Sequence, residues 1–158
     1  MKRFSSKFTS IAIVILTVIL DTLSKNLAIL SLKDTGSVDY AVFPNILHFT
    51  YHENRGAAFG MLSDSRWIFM TISTVAILAI AAYLFLNKEN SPLLSISLSL
   101  ILGGGIGNMI DRVFLGYVVD FINFKIINFP IFNLADTFVT LGAFLMILYM
   151  FKSEKSKD

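Results

Sequence analysis

The stretch that decides the fold is TSIAIVILTVILDTLSKNLAILSL, Thr9–Leu32. Apart from Asp21 and Lys25 it carries no charge, and a helix needs roughly 20 mainly apolar residues to cross a bilayer. Lys2, Arg3 and Lys7 precede it in the manner of a secretory signal. No small-residue cleavage site follows, however: Asp21-Thr-Leu-Ser-Lys25 comes next and the apolar residues then resume. The reading is a retained membrane helix with a polar patch in its middle. An ionisable group inside a span costs about 2.5–3.5 kcal/mol on insertion scales and by default marks a functional site.

Outward from this stretch, three more segments are apolar enough to span. Trp67–Leu86 has no charge, Leu93–Met109 runs into Gly103-Gly-Gly-Ile-Gly107 and Asn108, and Phe132–Phe151 carries Asp136. The expected fold is an all-α polytopic membrane protein with four transmembrane helices, about 9–32, 67–86, 93–109 and 132–151, in one membrane-embedded domain, 1–158. Composition agrees, with 55% hydrophobic and 15% charged residues against about 45–50% and 25% in globular chains. The net charge of +2, with basic residues gathered at the chain ends, gives no footprint for nucleic acid. The absence of cysteine excludes disulfides, thiolate metal sites and a cysteine nucleophile.

Lys and Arg placement sets the orientation. Lys2, Arg3, Lys7, Lys88, Lys152, Lys155 and Lys157 fall on one side of a four-span chain, which makes both termini cytoplasmic. The connections at 33–66 and 110–131 then face outward. In the first, Asn45–His52 alternates Leu47, Phe49 and Tyr51 with more polar positions, as a half-buried strand does, with Val38–Phe43 as a hairpin partner. The second, Gly116–Pro130, is rich in Val, Ile and Phe and favours extended structure that packs on the first. The expectation is a small β-like platform between helices 1 and 2, at the outer membrane interface.

The polar residues near the helices have bland and functional readings. Asp21 and Lys25, four apart on one helix face, suit an ion pair that makes the helix insertable, more than direct catalysis. Ser24 and Lys25 are neighbours and diverge around the helix, which weakens a serine–lysine hydrolase. The glycines let helices approach closely, but that does not explain Asn108, Asp111 and Arg112 directly after them. Asp120 and Asp136 could meet near the outer surface. Two carboxylates forced together share a proton, and such a pair hydrolyses peptides by taking a proton from water and giving one to the scissile carbonyl. The alternative is two unrelated acids, each paired with Arg112 or Lys125. His48, His52 and Glu53 lack the order of a helical zinc motif, so no metal or other cofactor is expected. A transporter with Asp21, Lys25, Asp111 and Arg112 along a polar path, a membrane scaffold, and an intramembrane protease of the Gly-x-Gly-Asp class remain rival readings. Four short spans without a repeat argue against the first, and Asn108-Met-Ile-Asp111 against the last.

Five blocks in order carry a more specific signal: Asp21-Thr-Leu-Ser-Lys25, Asn54-Arg-Gly-Ala-Ala-Phe-Gly60, Gly104-Gly-Ile-Gly-Asn-Met-Ile-Asp-Arg112, Val118-Val-Asp-Phe121 and Phe132-Asn-Leu-Ala-Asp136. Over nearly its whole length the chain resembles bacterial lipoprotein signal peptidase, also called signal peptidase II. The resemblance implies an aspartyl endopeptidase of the bacterial cytoplasmic membrane; a monomer in contact with membrane lipids is the expectation for its assembly. Its substrates would be prolipoproteins, cut just before a cysteine that already bears a diacylglyceryl group. By motif, Asp120 and Asp136 correspond to the catalytic dyad. Asp21, Lys25, Asn54, Gly56, Gly104, Asn108, Arg112, Asn133 and Ala135 match positions that bind substrate or support the site. Thr22 and Ile106 depart from the glutamine and alanine common there, away from the dyad. On this reading the segment around His48–Phe59 holds the substrate, with Asn54 and Arg55 bonding its backbone.

Overall fold

The computed structural model describes residues 2–56, 66–87, 91–127 and 129–154. Lys88, Lys155, Lys157 and the Ala57–Gly60 part of the second block lie outside the described residues. Helix α1, Lys2–Ala28, continues into a π-helical turn, Ile29–Lys33. Strands β1, Asp39–Phe43, and β2, Leu47–Asn54, follow, then helices α2, Arg66–Leu86, and α3, Pro92–Phe114, strand β3, Val118–Phe124, and helix α4, Leu134–Glu154. Three stretches are long and apolar enough to cross a membrane, Lys7–Lys33, Pro92–Phe114 and Leu134–Ser153, and Met70–Leu86 is a shorter apolar helix. Ile15, Leu16, Leu27, Ile72, Val75, Leu78, Phe144 and Phe151 are each more than half exposed. An apolar belt of that extent suits hydrocarbon rather than water.

Helix α3 is the hub and packs on α1, α2 and α4. Ser91 caps its start by accepting from the Leu94 N–H at 3.2 Å, and Pro92 takes the first turn, where no backbone donor is needed. Its buried residues are leucines, Leu94, Leu98 and Leu102, small residues, Ser95, Ser97, Ser99, Gly103, Gly104 and Gly107, and Asp111. The Ser97 and Ser99 hydroxyls donate to carbonyls one turn back, at 2.7 and 2.6 Å, so neither of these two is stranded. A Cβ on Gly104 would run into the Ala135 carbonyl and stand 2.8 Å from Val139 Cγ2. Gly104→Ala must therefore spread α3 from α4. The expected result is a loss of about 1–3 kcal/mol, the scale of core overpacking, read as a lower Tm in detergent.

Two boundaries differ from the sequence reading. Helix α3 does not stop near Met109 but runs to Phe114, so Asp111 and Arg112 are helical. Polar residues there looked like a loop, but burial against partners keeps them in the helix. Helix α4 begins at Leu134 rather than Phe132, which puts Asp136 in its first turn and not one to two turns in.

The platform is also larger than a single connection supplies. β1 and β2 form an antiparallel hairpin, and β3, from the connection between α3 and α4, pairs antiparallel with β2. Asn45 makes the hairpin turn with φ 61°, a left-handed conformation that asparagine tolerates. Val118, Val119, Asp120 and Phe121 are all buried, so the start of β3 is covered on both faces. Phe121 packs with Ala28 and Leu32 at the end of α1. The sheet thus sits on the end of the bundle where α1 and α3 finish and α4 starts.

Candidate active site

The site grows from the first turn of α4. Its cap is Asn133, whose side-chain oxygen accepts from the Asp136 N–H at 2.9 Å, while Asp136 Oδ2 accepts from the Asn133 N–H at 3.3 Å. This reciprocal pair is a capping box. Another free N–H of that turn, on Ala135, donates to Asp21 Oδ1 at 2.9 Å. Two carboxylates thus complete the start of α4, where its dipole favours negative charge.

Asn133 then turns from cap to bridge. Its amide nitrogen donates to Asp120 Oδ1 at 2.7 Å and to Asn108 Oδ1 at 3.1 Å. Asp120, 1% exposed on β3, takes a second donor, Asn54 Nδ2, at 2.8 Å on its other oxygen. Asn54 is itself fixed, since its side-chain oxygen accepts from the Gly56 N–H at 3.1 Å. Asp136 Oδ1 accepts from Asn108 Nδ2 at 2.7 Å. Both acids are therefore held through Asn133, and each accepts on both oxygens. Burial pushes the Asp120 carboxyl up to about 7, with the Asp136 charge adding to the shift and the Asn54 and Asn133 bonds opposing it. The shift brings the loss of this proton from the ordinary carboxylate range toward neutral pH.

Behind the acids lies a buried cation. Lys25, its side chain 3% exposed, reaches Asp21 Oδ2 at 2.8 Å, Asp111 Oδ2 at 3.0 Å and Asn108 Oδ1 at 3.0 Å. Asp111 Oδ2 also accepts from the Val119 N–H at 3.0 Å, which ties α3 to β3 beside Asp120. Because Asn108 Oδ1 accepts from both Lys25 and Asn133, its NH2 must face Asp136. The orientation of that amide is thereby settled by the network. Arg112 donates to the Asn108 carbonyl at 3.4 Å and lies in the field of Asp136, Asp120 and Asp111. Gly107 leaves room for Asp21: a Cβ there would stand 2.5 Å from Asp21 Oδ2.

All eleven site residues named from the sequence fall in or against this cluster. The ion pair expected between Asp21 and Lys25 is present, and both also belong to the wider network. Asp111 has a larger part than its sequence position signalled. The bonds that Asn54 and Arg55 make here are to the protein itself, and the Arg55 side chain stays 65% exposed. Asn54 is spent on Asp120, and Arg55 donates to Glu53 Oε2 at 2.8 Å. Among the described residues no group of three or more His, Asp or Glu is placed to hold a metal ion.

Comparison with known proteins gives one answer. Residues 13–152 match the family described as signal peptidase (SPase) II. The chain is 46% identical to a lipoprotein signal peptidase of Clostridium tetani (strain Massachusetts / E88), over 94% of this chain and 96% of that one. It is 40% identical to one of Halothermothrix orenii, over 92% and 97%. Two solved structures, described as a bacterial membrane enzyme at 2.3 and 1.9 Å resolution, superpose with TM-scores of 0.85 and 0.78. Their identities to the chain are 34% and 35%, and they cover 95% and 90% of it.

Proposed function

The chain belongs to the signal peptidase II family, and from that premise we propose that it removes the signal peptide from diacylglyceryl-modified prolipoproteins, cutting just before the lipid-bearing cysteine. The observation that carries the mechanism is the Asp120–Asp136 pair joined through Asn133. Asp120 supplies the acid, because its carboxyl holds a proton near neutral pH. Asp136 supplies the base. It takes a proton from water as the oxygen attacks the scissile carbonyl, while Asp120 gives its proton to the carbonyl oxygen. Collapse of the tetrahedral species breaks the C–N bond: the proton on Asp136 goes to the leaving amine, and Asp120 takes a proton back from a hydroxyl of that species as the carbonyl re-forms. No metal or cofactor takes part in these steps.

The topology follows the same reading. Four spans place both termini in the cytoplasm and the sheet at the outer face, where a substrate anchored by its lipid presents the cleavage site. The 21 residues of α2 measure about 31 Å at 1.5 Å per residue, enough to cross. The chain acts as a monomer in the bacterial cytoplasmic membrane. The test is incubation of the purified protein with one prolipoprotein in diacylglyceryl-modified and unmodified forms, followed by intact mass. The expected result is a mature product beginning at the modified cysteine, from the modified substrate only. Equal cutting of both forms, or cutting elsewhere, contradicts the proposal. Solute flux in vesicles without cleavage would favour a transporter.

A further inference from the structure

The face of β2 opposite the dyad carries a second polar cluster. Successive strand residues point to opposite faces, so when Asn54 turns onto Asp120, Glu53 turns away. Its carboxylate accepts from Lys33 Nζ at 3.1 Å, the Tyr51 hydroxyl at 3.2 Å and Arg55 Nη2 at 2.8 Å. Lys33 ends the π-helical turn after α1, and such irregular turns are frequent at functional sites. Its ammonium also donates to the Tyr117 hydroxyl at 3.4 Å and lies 5.2 and 5.8 Å from the ring centres of Tyr51 and Tyr117. Arg55 lies 5.3 Å from the Tyr117 ring centre. One lysine therefore fastens the end of α1 to the last residues of β2 and to the residue just before β3.

Those two strand ends are the ones that matter to the dyad. Asn54 is the final residue of β2 and pairs with Val118, and His52 pairs with Asp120. Past Asn54 the chain leaves the sheet, so the strand's own hydrogen bonds hold Asn54 from one side only. We propose that Lys33 and Glu53 are positioning residues that, with Tyr51 and Tyr117, clamp the end of β2 against the start of β3 and so set Asn54 on Asp120. The inference rests on the reading of Asp120 and Asp136 as the catalytic pair.

The clamp contributes little to folding. The Lys33 and Glu53 side chains are 43% and 28% exposed, and ion pairs so placed are weak. Arg55 foremost, with Lys33 and Tyr51, holds the Glu53 carboxyl down to about 2, so it stays ionised across any practical assay range. A change in pH profile on breaking the clamp must then come through the dyad. Asp120 is faced by Asn54 from β2, Lys25 from α1, and Asn133 and Asp136 from α4 and its cap, and Arg112 of α3 lies in its field. Of these only Asn54 is held by the clamp. Its bond favours the ionised carboxylate, so loosening it makes Asp120 keep its proton to higher pH.

The test uses the full-length protein in detergent with a diacylglyceryl-modified prolipoprotein. Lys33→Met and Glu53→Gln are expected to lower kcat by roughly three- to tenfold, the scale of one ordinary hydrogen bond weakened or lost. KM and Tm should change little, and the basic limb of the pH profile should move upward. Lys33→Arg, which keeps the charge, should recover most of the rate. An active wild type with kcat and basic limb unchanged in both Lys33→Met and Glu53→Gln overturns this inference and leaves the function intact. A fall in Tm with the basic limb unmoved also overturns it. An inactive wild type overturns the functional reading itself, and the inference with it.

Discussion

Asp136→Asn and Asp120→Asn are each expected to lower kcat by about 10³-fold, within the range that positioned acid–base groups supply. Asparagine matches the shape of aspartate but can neither take a proton from water nor give one to a carbonyl. Local geometry adds a second penalty. Asp120 accepts from Asn54 on one oxygen and from Asn133 on the other, and Asp136 accepts from Asn108 and from the Asn133 N–H. Converting one oxygen to NH2 therefore sets a donor against a donor. A buried donor without a partner costs about 1–3 kcal/mol. The two effects separate experimentally: the rate loss should exceed what the change in Tm accounts for, with substrate binding retained. Turnover near the wild-type rate in either variant excludes a two-carboxylate mechanism.

The second large effect is on stability. Lys25→Met should destabilise the protein by about 3–5 kcal/mol, the cost of removing one partner from a buried ion pair. Asp21 and Asp111 would be left in the interior without their cation, although each keeps one backbone N–H, from Ala135 and Val119. Asn108 would lose one of the two bonds that turn its NH2 toward Asp136. The expected outcome is a marked fall in Tm in detergent, together with lost cleavage at temperatures where the variant remains folded. A Tm unchanged within error would mean that Lys25 does not hold the network together.

Much of this architecture is legible in the chain because membrane helices are written as long apolar runs. The helices appear near where Thr9–Leu32, Trp67–Leu86, Leu93–Met109 and Phe132–Phe151 predict them. The errors fall where polar residues serve the interior. Asn108, Asp111 and Arg112 look like the exit from a helix, but α3 carries them on because Lys25, Asp136 and Val119 meet them there. Alternation revealed the β2 segment. That β3 would join the same sheet depends on a pairing between distant segments and could only be suggested.

The site was legible as a set of residues, through its five blocks, but not as a mechanism of assembly. Asn133-Leu-Ala-Asp136 has the spacing of a capping box, a signal that locates the helix start two residues later than the apolar run does. The joining of that cap to Asp120 lies beyond sequence spacing, since it needs β3 to lie across the bundle end. The Lys33 cluster is less visible still. It depends on a π-helical turn, a strand end and the turn between α3 and β3 arriving together, and none of these announces the others.

The pH dependence of kcat/KM bears most directly on the claim that Asp120 supplies the proton and Asp136 the base, because it reports the ionisations of the free enzyme. Asp120 is raised, so its proton is present below about 7 and lost as pH climbs through that value. Activity that needs this proton must fall on the alkaline side. The prediction is a profile whose basic limb lies near pH 7. A rate that keeps rising through pH 9 would contradict it.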